Sequence, residues 1–120
     1  MVQEVLIVDD SDFMRNLLRE ILESEYEIVA EAANGVEAVE YYAEYDPDIV
    51  VMDLVMPLRD GIEATEEIKE ADPSARVIMC SSIGQQERLR SAIKVGAAGF
   101  ITKPFKEPSV LAEINQVATA

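Results

Sequence analysis

With 120 residues, of which 49% are hydrophobic, the chain is long enough for one well-packed domain and too apolar to be disordered. Its 24 Asp and Glu residues against ten Lys and Arg residues give a formal net charge of −14, which would repel nucleic-acid backbones and anionic membrane surfaces. No apolar run is long enough to span a bilayer, so we expect a single domain over residues 1–120 that neither binds nucleic acid nor enters a membrane.

Short apolar runs alternate along the chain with longer amphipathic stretches. The first run, residues 5–8, is aliphatic and mostly β-branched, as expected of a strand that is covered on both faces. Ser11 or Asp12 can cap the helix that follows. The apolar face of this helix is predicted to consist of Phe13, Met14, Leu17, Leu18, Ile21 and Leu22.

The same alternation repeats four more times. Further strands are predicted at residues 27–32, 49–52, 76–80 and 100–102. The helices after them are bounded by Asn34-Gly35 and Asp46-Pro47, by Asp60 and Asp72-Pro73, by Gln85 and Gly96, and by Pro108 at the start of the last helix. Five strand–helix units with short connections predict an α/β fold in which a parallel sheet carries helices on both faces.

Polar side chains stand at the ends of four predicted strands. They are Asp9 and Asp10, Asp53, Ser81 and Lys103. Each of them alone is more often a helix cap or an exposed turn residue, but in an open parallel sheet the carboxyl ends of the strands meet at one edge, where ligands bind. Their joint occurrence therefore predicts a functional site.

The chemistry of this set favours phosphoryl transfer. Three crowded carboxylates repel one another unless a cation neutralises them, and hard oxygen ligands suit Mg²⁺. An aspartate can act as a nucleophile that forms an acyl phosphate, and the transfer needs mainly a divalent ion, a cationic side chain and hydrogen-bond donors. Asp9 and Asp10 would supply the ion site, Lys103 the cation and Ser81 the hydroxyl. Asp53 is then left as the nucleophile.

Five short motifs occur in a distinctive order and spacing. They are Val-Asp-Asp-Ser at 8–11, Met-Asp-Leu-Val-Met-Pro at 52–57, Asp-Gly at 60–61, Cys-Ser-Ser at 80–82 and Lys-Pro-Phe at 103–105. Together they resemble the receiver domains of two-component response regulators, over essentially the whole chain. The resemblance implies a flavodoxin-like (βα)5 fold with the strand order 2-1-3-4-5, and a single receiver domain that fills residues 1–120.

The resemblance also implies a role for each matching position. Asp53 would be the phosphoacceptor. The ligands of Mg²⁺ would be Asp9, Asp10, Asp53 and the backbone carbonyl of Val55. The phosphoryl group would be bound and sensed by Ser81, Lys103 and the aromatic switch residue Phe100, and the Lys103–Pro104 peptide would be cis.

By the same resemblance, two side chains affect how fast water attacks the acyl phosphate. They lie two residues after the phosphoacceptor and two after the switch hydroxyl, and here they are Val55 and Ile83. Neither can orient a water by hydrogen bonding, so we expect slow self-dephosphorylation and some reliance on a separate phosphatase. The opposing hypothesis is that both side chains pack against neighbouring loops and leave the path of the water open.

Two segments resemble the chemotaxis branch of the family in thermophilic bacteria, Gram-positive bacteria and archaea. They are Ser-Asp-Phe-Met-Arg at 11–15 and Cys-Ser-Ser-Ile-Gly-Gln-Gln at 80–86. This implies a sensor histidine kinase of the CheA type as phosphodonor, and a motor switch protein or an archaellum adaptor as output partner. We expect a cytoplasmic protein, because Cys80 is the single cysteine and no signal-peptide pattern is visible. We also expect a monomer. We do not expect an enzyme beyond Mg²⁺-assisted self-phosphorylation and slow self-dephosphorylation.

Other hypotheses also fit the sequence. The chain could be the receiver domain of another two-component regulator. It could also be an aspartate-dependent phosphatase, because Asp10-Ser11-Asp12 resembles the Asp-x-Asp signature of haloacid-dehalogenase-type hydrolases, although that signature wants Thr or Val where Met14 stands. The acidic composition is equally consistent with a well-solvated surface and with adaptation to high salt.

Overall fold

A computed structural model describes residues 2–120, in which five strands alternate with five helices. The strands are β1 (Glu4–Val8), β2 (Glu27–Ala32), β3 (Ile49–Asp53), β4 (Val77–Ser81) and β5 (Gly99–Thr102). The helices are α1 (Asp12–Leu22), α2 (Gly35–Tyr45), α3 (Gly61–Ala71), α4 (Gln86–Lys94) and α5 (Glu107–Thr119). All neighbouring strands pair in parallel, in the order β2-β1-β3-β4-β5. The predicted fold and strand order are confirmed.

Alternate residues of the central strands face two separate helical layers. On β1, Val5 and Ile7 pack in a core with α1 and α5, whereas Leu6 and Val8 pack in a core with α2, α3 and α4. The runs are apolar throughout because both faces are covered, and each fully buried aliphatic side chain contributes about 1.5 to 3 kcal/mol. Within residues 2–120, no helix combines the length and the apolarity that crossing a membrane requires.

Helix α1 starts where the sequence predicts it, but the prediction that Phe13 lies on its buried apolar face is wrong. Ser11 is the N-cap, and its Oγ accepts a hydrogen bond from the Met14 N–H at 3.3 Å. Leu18 and Leu22 are buried, whereas Phe13 is 71% exposed. Five residues of α-helix turn through about 140° beyond a full circle, so Phe13 points away from the side of the helix that carries Leu18.

Helix α3 begins in direct contact with the end of strand β3. The Gly61 N–H donates to the Leu54 carbonyl at 2.9 Å, and a Cβ at Gly61 would lie 2.1 Å from the Asp53 carbonyl oxygen and 2.8 Å from Met79 Cε. Only glycine allows this approach of helix and strand. The close packing holds the backbone of Asp53, the residue that carries the central carboxylate of the site.

We therefore expect Gly61→Ala to lower the free energy of unfolding by about 2 to 3 kcal/mol, because the new methyl group must displace backbone atoms. Gly84→Ala is the control. Gly84 has a φ of 92° but nothing within 4 Å of its would-be Cβ, so only the backbone conformation is strained, by about 1 to 2 kcal/mol. Urea unfolding of both variants measures the difference. A Gly61→Ala protein as stable as wild type would show that the contact does not constrain the fold.

Candidate functional site

Three strand ends bring two carboxylates and an ammonium group together at the carboxyl edge of the sheet. Asp9 follows β1, Asp53 ends β3 and Lys103 follows β5. The Lys103 Nζ lies 3.3 Å from Asp9 Oδ2 and 3.3 Å from Asp53 Oδ2. Asp9 and Asp53 are only 1% and 6% exposed, so these charges interact with little screening by water.

The third carboxylate, that of Asp10, completes an acidic cluster. One oxygen each of Asp9, Asp10 and Asp53 lies within 4.8 Å of the others. The Ser11 N–H donates to Asp9 Oδ1 at 2.9 Å, but the buried Asp9 Oδ2 has no hydrogen-bond partner among residues 2–120, although Lys103 Nζ lies near it. Buried acceptors of this kind normally have a partner. Three convergent carboxylates with spare acceptor capacity fit a hard divalent cation such as Mg²⁺.

The electrostatics of the cluster follow from its burial. Burial and the nearby Asp9 carboxylate raise the pKa of Asp53 to about 6, although Lys103 acts in the opposite direction. For Lys103, burial lowers the pKa, but the attraction of Asp53 and Asp9 outweighs this and the net pKa is raised. Burial also raises the pKa of the Cys80 thiol, as does the Asp53 charge, so Cys80 is not a reactive thiolate.

The raised pKa predicts that Asp53→Asn stabilises the protein at neutral pH when EDTA removes divalent ions. In the folded state Asp53 holds its proton up to about pH 6, whereas its ordinary pKa is 3.8. Between these values the folded state binds more protons than the unfolded state, so the contribution of Asp53 to stability falls as the pH rises. Above pH 6 the full penalty of about 1 to 3 kcal/mol applies. Asn cannot ionise, so the Asp53→Asn protein does not have this penalty.

Urea unfolding of wild type and Asp53→Asn at pH 4 and pH 7 measures this effect. The quantity compared is how the stability difference between the two proteins changes with pH, because titrating groups away from Asp53 contribute equally to both proteins and cancel. We expect the advantage of Asp53→Asn to grow by about 1 to 3 kcal/mol from pH 4 to pH 7. A difference that is independent of pH would contradict the raised pKa.

Two further predicted site residues lie on the neighbouring strands β4 and β5. Ser81 ends β4 and is buried, and its backbone carbonyl accepts a hydrogen bond from the Lys103 N–H at 2.7 Å. Phe100 on β5 is 43% exposed and lines a surface groove together with Ile83 and Lys106. The aromatic ring is therefore turned outward, next to the loop that follows Ser81.

The remaining predicted positions lie in loops around the cluster. Val55, two residues after Asp53, is 44% exposed, and Ile83, two residues after Ser81, is 88% exposed. The Lys103–Pro104 peptide is cis. The backbone carbonyl of Val55 as a metal ligand stays a prediction.

One residue of the site, Arg15, was not identified from the sequence. Its Nη1 donates to the Asp9 backbone carbonyl at 2.6 Å, and its Nε lies 3.3 Å from Glu31 Oε1. The only sequence feature that points to Arg15 is its spacing of three residues from Asp12, which predicts an ion pair on one face of the helix. This spacing does not predict the contact with Glu31, because that contact depends on how α1 packs against β2.

Comparison with known proteins agrees with this geometry. Residues 5–115 match the family described as response regulator receiver domain. The chain belongs to that family. Receiver domains of this type are signalling proteins rather than enzymes that turn over an external substrate.

Within the family, several relatives of this chain are chemotaxis proteins. It is 67% identical over 120 residues to the chemotaxis protein CheY of Halobacterium salinarum, over the full length of both chains. It is 51% identical over 117 residues to CheY of Bacillus subtilis, which covers 97% of this chain and 98% of the relative. The solved CheX–CheY–BeF3–Mg²⁺ complex from Borrelia burgdorferi matches with a TM-score of 0.91 and 40% identity, over 96% of this chain and 88% of that chain.

These findings confirm the resemblance to receiver domains and to their chemotaxis branch. They leave no support for the aspartate-dependent phosphatase, because the match to receivers extends through nearly the whole sequence. This chain is a CheY-like response regulator receiver domain.

Proposed function

We propose that the chain carries a chemotaxis signal as a phosphoryl group on Asp53. The observation that carries the proposal is the position of the Asp53 carboxylate, which lies buried at the end of β3, 3.3 Å from Lys103 Nζ and beside Asp9 and Asp10. This position supports attack by an Asp53 carboxylate oxygen on the phosphorus of a phosphodonor. The new bond gives an acyl phosphate while the bond to the leaving group breaks.

Asp9, Asp10, Asp53 and the backbone carbonyl of Val55 would hold Mg²⁺. The bound ion would neutralise negative charge on the phosphoryl group and on the carboxylates, which is the main requirement of phosphoryl transfer. Lys103 would add a second positive charge, and its raised pKa keeps it protonated at neutral pH. Asp53 is ionised at neutral pH because its pKa of about 6 lies below that value.

Ser81 and Phe100 would convert phosphorylation into a change of shape. The Ser81 hydroxyl would donate to a phosphoryl oxygen, and the half-exposed Phe100 would turn inward into the space that Ser81 leaves. Burial of the ring would stabilise the new state by packing alone, since Phe has no hydroxyl to form a hydrogen bond. A partner that binds the two states unequally would then read the signal.

The proposed partners follow from the chemotaxis relatives. A CheA-like sensor histidine kinase in the cytoplasm would supply the phosphoryl group. A motor switch protein or an archaellum adaptor would receive the signal. The Borrelia relative is bound to a second protein, CheX, which supports a further partner, and we propose that this partner is a separate phosphatase.

Incubation with Mg²⁺ and acetyl phosphate, followed by mass spectrometry of the peptides, tests the proposal. We expect one base-labile phosphoryl group, on the peptide that contains Asp53. Modification of a different residue, or of none, would contradict the proposal. Sustained turnover of a generic phosphomonoester would favour an aspartate-dependent phosphatase instead.

The proposed Mg²⁺ site gives a further prediction. Asp10→Ala should weaken Mg²⁺ binding at least about tenfold, because even the loss of an outer-shell partner of a metal site has an effect of this size. The fold should survive, since Asp10 is exposed. Glu20→Ala, which removes another exposed acidic side chain near the start of the chain, is the control for charge. Calorimetric titration with MgCl2 gives the affinities, and equal affinity in both variants would exclude Asp10 as a ligand.

A further inference from the structure

The guanidinium group of Arg15, which has no part in the chemistry proposed above, lies directly behind the acidic pair. Its Nη1 donates to the Asp9 backbone carbonyl at 2.6 Å, its Nη2 pairs with the Asp12 carboxylate, and its Nε lies 3.3 Å from Glu31 Oε1. The side chains of Arg15 and Glu31 are only 14% and 20% exposed. Arg15 thus connects the loop between β1 and α1 with the first turn of α1 and with strand β2.

The Asp9 carbonyl belongs to the peptide that links the two acidic residues. Because a peptide is planar, the position of this carbonyl also restrains the Asp10 N–H and Cα, from which the Asp10 side chain projects. Asp9 has other restraints, since the Ser11 N–H donates to its Oδ1 at 2.9 Å and its own N–H donates to the Ala32 carbonyl at 3.0 Å. The exposed Asp10 carboxylate takes no part in the hydrogen bonds that hold this loop within residues 2–120. Its direction therefore depends on the backbone.

We infer that Arg15 is a positioning residue for the divalent-cation site, and that it fixes the Asp9–Asp10 peptide so that both carboxylates face the ion. The inference rests on the proposed function, because it takes Asp9 and Asp10 as ligands of Mg²⁺. Arginine suits this task because its planar guanidinium group presents five N–H donors in a fixed geometry. It can bind one carbonyl and two carboxylates at the same time.

Charge alone predicts the opposite effect of Arg15. A positive charge close to a cation site repels the cation, so its removal should strengthen Mg²⁺ binding. If Arg15 acts by positioning, its removal should weaken binding, because the ion must then order a mobile backbone at a cost in conformational entropy. The sign of the change in affinity separates the two effects.

The test is a calorimetric titration of the full chain with MgCl2, for wild type, Arg15→Gln and Arg19→Gln. Arg19 is the matched control, because it lies one turn further along α1 and carries the same charge, but its ion pair is with Glu31 and not with the Asp9 carbonyl. We expect Arg15→Gln to weaken binding at least about tenfold, as is typical for an outer-shell partner of a metal site. Arg19→Gln should bind as tightly as wild type or slightly more tightly. Equal affinity of the two variants, or tighter binding by Arg15→Gln, would overturn the inference.

The rate of phosphorylation by acetyl phosphate gives an independent measurement. Positioning of the ion ligands predicts that Arg15→Gln needs more Mg²⁺ but recovers to within about twofold of the wild-type rate at saturation. A deficit that persists at saturating Mg²⁺ would show that Arg15 acts in another way. If wild type itself binds no Mg²⁺, the proposed function fails. If wild type and both variants bind equally, only the role of Arg15 fails.

Arg15→Lys keeps the test decisive if Arg15→Gln does not fold, which urea unfolding establishes. This variant retains the positive charge but replaces the planar fork by a single ammonium group, which cannot bind the carbonyl and both carboxylates with the same geometry. We expect it to bind Mg²⁺ more weakly than wild type. Wild-type affinity in Arg15→Lys would overturn the inference.

Discussion

Asp53→Asn is expected to reduce the rate of phosphorylation by acetyl phosphate to below about one thousandth of the wild-type rate, which corresponds to about 4 kcal/mol in the barrier. The substitution replaces the nucleophilic carboxylate by an amide, which cannot form the acyl phosphate. The fold should remain intact, because Asn has nearly the same shape and the change removes a buried charge beside Asp9. The loss would therefore report chemistry and not unfolding.

Asp46→Asn is the matched control for this experiment. Asp46 is exposed at the C-terminal end of α2 and has a φ of 46°, a conformation that Asn tolerates as well as Asp does. The same chemical change there should leave the rate unchanged. Mass spectrometry should also follow Asp9 and Asp10 in the Asp53→Asn protein. Phosphorylation of that variant at the wild-type yield would rule out Asp53 as the acceptor.

The sequence predicts the fold well because its information is local. Strands β1, β3 and β4 are covered on both faces, so each is an unbroken apolar run that ends sharply at a polar residue. Asp60 and Ser11 cap helices by bonding to N–H groups three residues away, a contact that needs no other part of the chain. The convergence of Asp9, Asp53 and Lys103 then follows from the parallel sheet.

Features that depend on packing between elements were not predictable in this way. Asp9 and Asp10 are adjacent and chemically identical, yet one is buried and the other exposed. The sequence also suggests a buried Phe13, whose exposure follows from the rotation of α1 against the sheet. The contact of Arg15 with Glu31 joins α1 to β2, and neither residue stands at a strand end. Such contacts are set by the tertiary structure and cannot be predicted from the local residue pattern.

The lifetime of the phosphoryl group depends on the approach of a water molecule to the phosphorus. The structure bears on the hypothesis that Val55 and Ile83 are packed away against neighbouring loops. Ile83 is 88% exposed and Val55 is 44% exposed, so both side chains extend into the solvent region around the site. An apolar side chain in that position cannot hydrogen-bond a water and can obstruct its path. The exposure of the two residues argues against their being packed away, and slow hydrolysis stays a prediction.

The double variant Val55→Asn, Ile83→Glu should lose its phosphoryl group roughly 5 to 30 times faster than wild type, because one positioning hydrogen bond of about 1 to 2 kcal/mol is gained in the transition state. The measurement is the decay of phosphorylated protein after removal of acetyl phosphate, with Mg²⁺ held constant. Leu58→Asn is the control, since Leu58 is 81% exposed in the loop after β3 and has a φ of 68°, which Asn accepts. The control adds a polar amide to the same loop, so a general gain in polarity would speed decay in both proteins. Faster decay in the double variant alone would assign the effect to positions 55 and 83. Equal decay in all three proteins would refute the prediction.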